Sequence, residues 1–211
     1  TAFLASDFQP TAASLTGTYS DAGVDTNGNS LYDKLRLTAG IDVLTPGAYR
    51  LVGALSGTDG VLARASRDVT LQAGAQNAIL DFRGLDISSQ TANGPYTVTM
   101  LSLLDATGAA VSFEPGVYAT DAYLAADFDA AGTISGTVRS AAGSVVSDVV
   151  IYLAGPVKRT AVSDSAGRYA AAGLPAGTYK LHAIPPDESF LLDEIAEVVV
   201  SSGEAAVGDF T

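Results

Sequence analysis

The sequence predicts an all-β protein made of two tandem β-sandwich domains, Ig-like or transthyretin-like in kind. Apolar residues recur with a period of two, as on half-buried strands. Clusters of Gly, Pro, Asn and Asp interrupt these runs at short, regular intervals. Long helical patterns are nearly absent; residues 188–196 are the only stretch that could pass for one.

The clearest strand is residues 34–43. Leu35, Leu37, Ala39, Ile41 and Val43 fall on one face, and Lys34, Arg36, Thr38 and Asp42 on the other. Further strands are predicted over 48–57, 61–72, 77–83, 96–104 and 117–124. Around Met100 and Leu101 the alternation slips, which predicts a bulge or two covered faces. Turns are expected at Pro46-Gly47, Asp59-Gly60, Ala73-Gly74, Asn93-Gly94-Pro95, Thr107-Gly108 and Pro115-Gly116. A second series starts at Gly132: Ile134, Gly136 and Val138, then Val149, Ile151 and Leu153, then Tyr179, Leu181 and Ala183, and last residues 197–201. The small residues Ala130, Ala131 and Gly132 mark the boundary. The expected organisation is therefore an N-terminal strand or linker over 1–11, one sandwich over 12–131 and another over 132–211.

An internal repeat stands apart from the strand pattern. Residues 1–8, TAFLASDF, match residues 121–128, DAYLAADF, at five of eight positions, with Phe3 against Tyr123 conservative. Because the second copy ends the first domain, the first copy reads as the closing strand of a similar preceding domain.

Composition narrows the function. The 211 residues carry 23 acidic and 11 basic side chains, a formal net charge of −12. Such a chain repels phosphate backbones, so nucleic acid is not an expected partner, whereas divalent cations are natural counter-ligands. An apolar share of 47% is enough for real cores. No run approaches the ~18 apolar residues of a membrane-spanning helix, so membrane insertion is not expected. With no cysteine, disulfides, thiolate nucleophiles and zinc–thiolate sites are excluded. The absence of cysteine fits a secreted prokaryotic protein, and the start at Thr1 fits a mature chain or a fragment.

The stretch DAGVDTNGNSLYD, residues 21–33, is the most chemically pointed. Asp25, Asn27, Asn29 and Asp33 place side-chain oxygens at alternating positions, Gly28 permits a tight turn, Leu31 offers its carbonyl, and Asp21 stands near enough to complete a shell. Calcium takes six to eight hard oxygen ligands in flexible geometry, so these six residues form the candidate calcium site. The spacing resembles other Asp-x-Asp-x-Asn-Gly loops, without the glutamate that closes an EF-hand and without flanking helices. The competing reading is a solvated Asp/Asn/Gly turn. Three carboxylates in so short a stretch repel one another unless a cation sits among them, which favours calcium.

No catalytic set is legible. His182 shares a strand face with Lys180, no Gly-x-Ser-x-Gly elbow exists, and Asp187, Glu188, Asp193 and Glu194 read as a solvated acidic loop. Asp164-Ser-Ala-Gly167 and Asp105-Ala-Thr-Gly108 read as hairpin tips. The Pro-Gly-x-Tyr runs at 46–49 and 115–118, and PAGTY at 175–179, read as turns that launch strands.

Residues 132–211 resemble the carboxypeptidase regulatory-like, transthyretin-like β-sandwich. ISGTV at 134–138, Gly143, VVIYL at 149–153, SDSAGRY at 163–169 and GLPAGTY at 173–179 carry the likeness in order. That resemblance implies a non-catalytic spacer or accessory unit of secreted and surface proteins. Related pilin-type modules carry Lys–Asn crosslinks; the first strand here has no Lys and Ala183 follows His182, so none is expected. Residues 12–128 look like a calcium-loop module of prokaryotic surface proteins, through Gly17–Asp21, Asp25–Asp33, Gly47–Tyr49, LDFRG at 80–84 and Gly94–Tyr96.

Two function classes remain. The first is a structural or adhesive module of an extracellular, cell-surface or filament-forming protein, with other copies of itself or neighbouring surface domains as partners. The second is an accessory module of a secreted hydrolase, with carbohydrate as the candidate ligand.

Overall fold

The computed structural model describes residues 11–58, 60–90, 92–185 and 195–211. The chain divides into two compact units, Thr1–Phe128 and Asp129–Thr211, each with its own core. The first copy of the repeat, residues 1–8, lies outside the described residues, as does nearly all of the possible helix at 188–196, whose last two residues open a strand.

The first unit is a sandwich of two antiparallel sheets. One has the order β1 (Ala13–Val24), β2 (Lys34–Val43), β5 (Gly74–Arg83); the other has the order β4 (Gly60–Leu71), β3 (Gly47–Gly57), β6 (Thr97–Leu104), β7 (Ala110–Ala119). Strand β2 covers the predicted residues and buries the predicted face, because its apolar side chains point at the other sheet. Leu35, Leu37 and Ile41 of β2 and Leu80 and Phe82 of β5 meet Leu51 and Leu55 of β3 and Leu101 and Leu103 of β6. Fully burying each such side chain contributes about 1.5–3 kcal/mol. A single helical turn, α1 (Gly84–Ser88), follows β5 and buries Ile87.

In the first unit, three details of the strand pattern differ from the sequence reading. Strand β1 was not anticipated: its Ser/Thr/Gly-rich middle is largely exposed, and a register shift between Leu15 and Tyr19 breaks the alternation that would have revealed it. Next, the strand expected over 117–124 is β7, displaced toward the N-terminus. Pro115-Gly116 is not a turn; it lies inside β7, where Val98 pairs with Tyr118 but Met100 with Pro115. This is a bulge, with Gly116 at φ +60°. An edge position tolerates the missing proline N–H. The slipped alternation near Met100 therefore has its cause in bulges against both neighbours, since β3 also shifts between Ala54 and Leu55. The third difference is the second copy of the repeat, which is no strand. Its backbone forms a short 3₁₀ turn at Ala125–Asp127, and only Phe128 bridges to Tyr32.

The second unit pairs β10 (Lys158–Val162), β9 (Val150–Ala154), β12 (Gly177–Ile184) and β13 (Ile195–Val200) in one sheet, and β11 (Arg168–Leu174), β8 (Gly132–Thr137) and β14 (Ala205–Val207) in the other. Strand β14 runs parallel to β8, with Ala206 opposite Ile134. Ile134, Ile151, Leu153, Leu174, Tyr179, Leu181 and Phe210 fill its core. The Asp164–Gly167 turn joins β10 to β11 and so carries the chain between sheets, where a hairpin tip was expected; the Asp105–Gly108 turn does join the paired strands β6 and β7.

Tyrosines lock three of the turns. Tyr49 donates its hydroxyl to the carbonyl of Thr45 (2.6 Å), Tyr96 to Ala92 (2.9 Å) and Tyr179 to Pro175 (3.0 Å), each four residues back. The runs at 46–49 and 175–179 thus do launch strands, each with a buried ring pinning its own turn. At 115–118 the tyrosine hydroxyl has another partner.

Candidate functional site

Residues 25–33 connect β1 to β2, and the β-ladder fixes both ends of the loop: Asp33 N–H donates to the Val24 carbonyl (2.9 Å), and Gly84 N–H to the Asp33 carbonyl (2.7 Å). Inside the loop, side-chain oxygens gather backbone donors. The Asp25 carboxylate accepts from the N–H groups of Asn27 (3.1 Å), Gly28 (2.7 Å) and Ser30 (2.9 Å). Asn27 Oδ1 accepts from Asn29 N–H (3.0 Å), and Asn29 Oδ1 from Leu31 N–H (2.9 Å). Asp33 accepts from the N–H and hydroxyl of Thr26 (both 2.5 Å) and from the Asn27 amide (3.1 Å). Gly28 adopts φ +77° and Ser30 φ +70°, left-handed positions that wrap the chain around these oxygens.

The loop therefore brings Asp25, Asn27 and Asp33 together, with Asn29 and Leu31 next along the same succession of turns. Two carboxylates, amide oxygens and a backbone carbonyl are the hard-oxygen donors that calcium prefers. Among the described residues no group of three or more His, Cys, Asp or Glu side chains is gathered as metal ligands, so a cation here would depend on amide and backbone oxygens as well as on Asp25 and Asp33.

Asp21 has a different role. It sits on β1 opposite Leu37, and its carboxylate accepts from the hydroxyls of Tyr118 (2.7 Å) and Tyr123 (2.6 Å) and from Asp121 N–H (3.2 Å). Both its oxygens are thereby engaged away from the loop. Nearby, Tyr19 donates to Glu114, and its ring lies 5.9 Å from that of Tyr118. The bond to Asp21, with burial and the carboxylate charge adding to it, pushes the Tyr118 hydroxyl up to about 12. Burial, then the bond to Asp21, raises Tyr123, and burial, then Glu114, raises Tyr19. Sequence reasoning missed this carboxylate–tyrosine cluster because its partners are about a hundred residues apart, beyond the reach of any local pattern.

Other sites are modest. Asp105 and Asp164 accept backbone N–H bonds within their own turns. His182 pairs in register with Tyr152 on one side and Ile195 on the other.

With this geometry in place, comparison assigns the second unit. Residues 133–211 match the carboxypeptidase regulatory-like domain family. The matched stretch runs from within β8 to Thr211 and contains the motifs quoted above for the resemblance. No curated protein matches the sequence. Among solved structures, the chain is similar to the TIE protein of Bacillus anthracis at 11% identity and a TM-score of 0.36, covering 92% of this chain and 39% of that one. It is similar to domains D2 and D3 of the major pilin SpaD of Corynebacterium diphtheriae at 11% identity and a TM-score of 0.41, covering 91% and 97%. The major pilin subunit BcpA of Bacillus cereus matches at 9% identity and a TM-score of 0.37, covering 92% and 70%. The chain thus spans well under half the length of the TIE protein. Likenesses this loose carry no functional weight.

Proposed function

We propose that this chain is a non-catalytic structural segment of an extracellular, cell-surface protein, one that assembles with copies of itself or with neighbouring surface domains, and that calcium bound at residues 25–33 stiffens its first sandwich. The observation that carries the reading is the loop itself. Four Asp and Asn side chains gather their oxygens in one short connection, at the junction of two ladder strands. An ion there would hold the end of β1 against the start of β2. Support for a structural role comes from where the ionisable groups are used. Asp21 is bonded to two tyrosines, Glu114 to Tyr19, and Asp81 to Arg36 and Lys34. These contacts tie strands together.

Melting with millimolar calcium, with chelator, and in the Asp25→Ala variant tests the calcium reading. Extracellular sites of this class bind at roughly 10⁻⁴–10⁻³ M. Millimolar calcium, at roughly one- to tenfold that constant, should add about 0.4–1.4 kcal/mol to the first sandwich alone. Asp25 also holds three backbone N–H groups, so Asp25→Ala should lower melting by itself; equal melting of the unaltered chain with calcium and with chelator removes the site.

A further inference from the structure

The cap that closes the first sandwich is residues 121–128. Tyr123 packs edge-on against Tyr32 and reaches Asp21, Ala125 is buried and takes the Asn93 side chain on its N–H (2.9 Å), Asp127 closes the turn on Leu124 N–H (2.8 Å), and Phe128 is buried among Tyr32, Tyr96 and Tyr123. The Asp127 carbonyl also receives Tyr32 N–H (2.8 Å).

Compared position by position with residues 1–8, this cap shows a pattern that the strand reading could not supply. The two buried side chains, Ala125 and Phe128, and the turn-closing Asp127 are identical in the first copy, as Ala5, Phe8 and Asp7. Two of the three differences, Thr1 for Asp121 and Ser6 for Ala126, fall where the cap is exposed. The third, Phe3 for Tyr123, keeps the ring and drops only the hydroxyl. The placement repeats as well. Phe128 is followed by three residues and then β8, the first strand of the next sandwich; Phe8 is followed by four and then β1.

From this we infer that the chain carries two caps of one kind, and that residues 1–8 fit the capping groove of another sandwich of the first-unit type. The partner is thus a second domain with the Asn93, Tyr32 and Tyr96 arrangement, and the cap doubles as the joint that hands one sandwich on to the next. This rests on the structural-module reading and not on calcium.

The test offers a fluorescent peptide of residues 1–8 to the full chain with residues 1–8 deleted and 121–128 replaced by Gly/Ser. The peptide should bind and raise the melting temperature of the first sandwich nearly as much as a peptide of residues 121–128, and a scrambled octapeptide should do neither. Binding by the 121–128 peptide with no more binding by residues 1–8 than by the scramble overturns the inference. If even the 121–128 peptide fails, the triple variant D121T/Y123F/A126S of the otherwise intact chain decides. Melting within about 2 °C of Tyr123→Phe alone, a shift well under the ~1 kcal/mol worth 4–8 °C in a small domain, supports it. A further loss of several degrees overturns it.

Discussion

In the first sandwich, three of the tyrosine hydroxyls that tie strands together end on carboxylates: Tyr118 and Tyr123 on Asp21, and Tyr19 on Glu114. In the second, Tyr179 ends on the Pro175 carbonyl and Tyr169 on that of Gly208. Ser163 does similar neutral work there, accepting from Val149 N–H and donating to the Val146 carbonyl. Both units use tyrosine–carbonyl bonds, but the first adds tyrosines that end on carboxylates. A carbonyl acceptor is the same at every pH, whereas a carboxylate acceptor strengthens the bond while charged and is lost as an anion when protonated. In these bonds the first sandwich depends on charge and the second on neutral acceptors.

The largest effect tests whether each core stands alone. Phe128→Ala should cost the first sandwich about 3–5 kcal/mol and leave the second transition in calorimetry unmoved, and Phe210→Ala should do the reverse. A shared shift in either variant would mean that the two cores melt as one unit.

A smaller effect separates the fasteners. Asp21→Asn keeps the shape but sets a neutral amide against two tyrosine hydroxyls and a backbone N–H, and should cost about 1.5–3 kcal/mol. Tyr179→Phe removes a neutral bond and should cost about 0.5–1.5 kcal/mol in the second unit. Equal losses would erase the distinction between charged and neutral closure.

The smallest effect is the pH profile. Hydrogen bonding to Arg36, reinforced by its charge and by Lys34, holds Asp81 below its ordinary value of 3.8. Its contribution is complete above that value and fades as pH falls through the lowered one, so the first transition should drop in acid. Tyr118, raised from 10 to about 12, contributes fully below pH 10 and is lost as pH climbs toward 12. Burial raises Tyr169 of the second unit too, so the alkaline loss should appear in both transitions. An acid drop confined to the second would contradict the comparison.

Much of this was legible beforehand. Period-two alternation located β2 and most of β3 to β6, because a face buried against another sheet leaves a strict pattern. The motif order of the second unit was legible for the same reason, since GLPAGTY encodes a turn, a ring and a strand in one run. β1 and β7 were hidden or displaced because bulges interrupt their alternation and much of each strand faces solvent. In the candidate site, Asp25, Asn27, Asn29 and Asp33 could be found from spacing alone, as the loop is local. Asp21 could not be placed, because its partners lie on β7 and the cap, and sequence distance hides them.

The bulge at Pro115 and Gly116 also bears on how this protein behaves when crowded. A flat, unbroken outer strand offers its free N–H and C=O groups to any other sheet and can seed amyloid-like growth. Strand β7, the outer strand of its sheet, loses a donor at Pro115 and its straightness at Gly116, next to the charge of Glu114. Arg64, Arg67 and Asp68 on β4, and Lys158 and Arg159 on β10, place charge along two more outer strands. At high concentration these features oppose the fusion of one sheet with another.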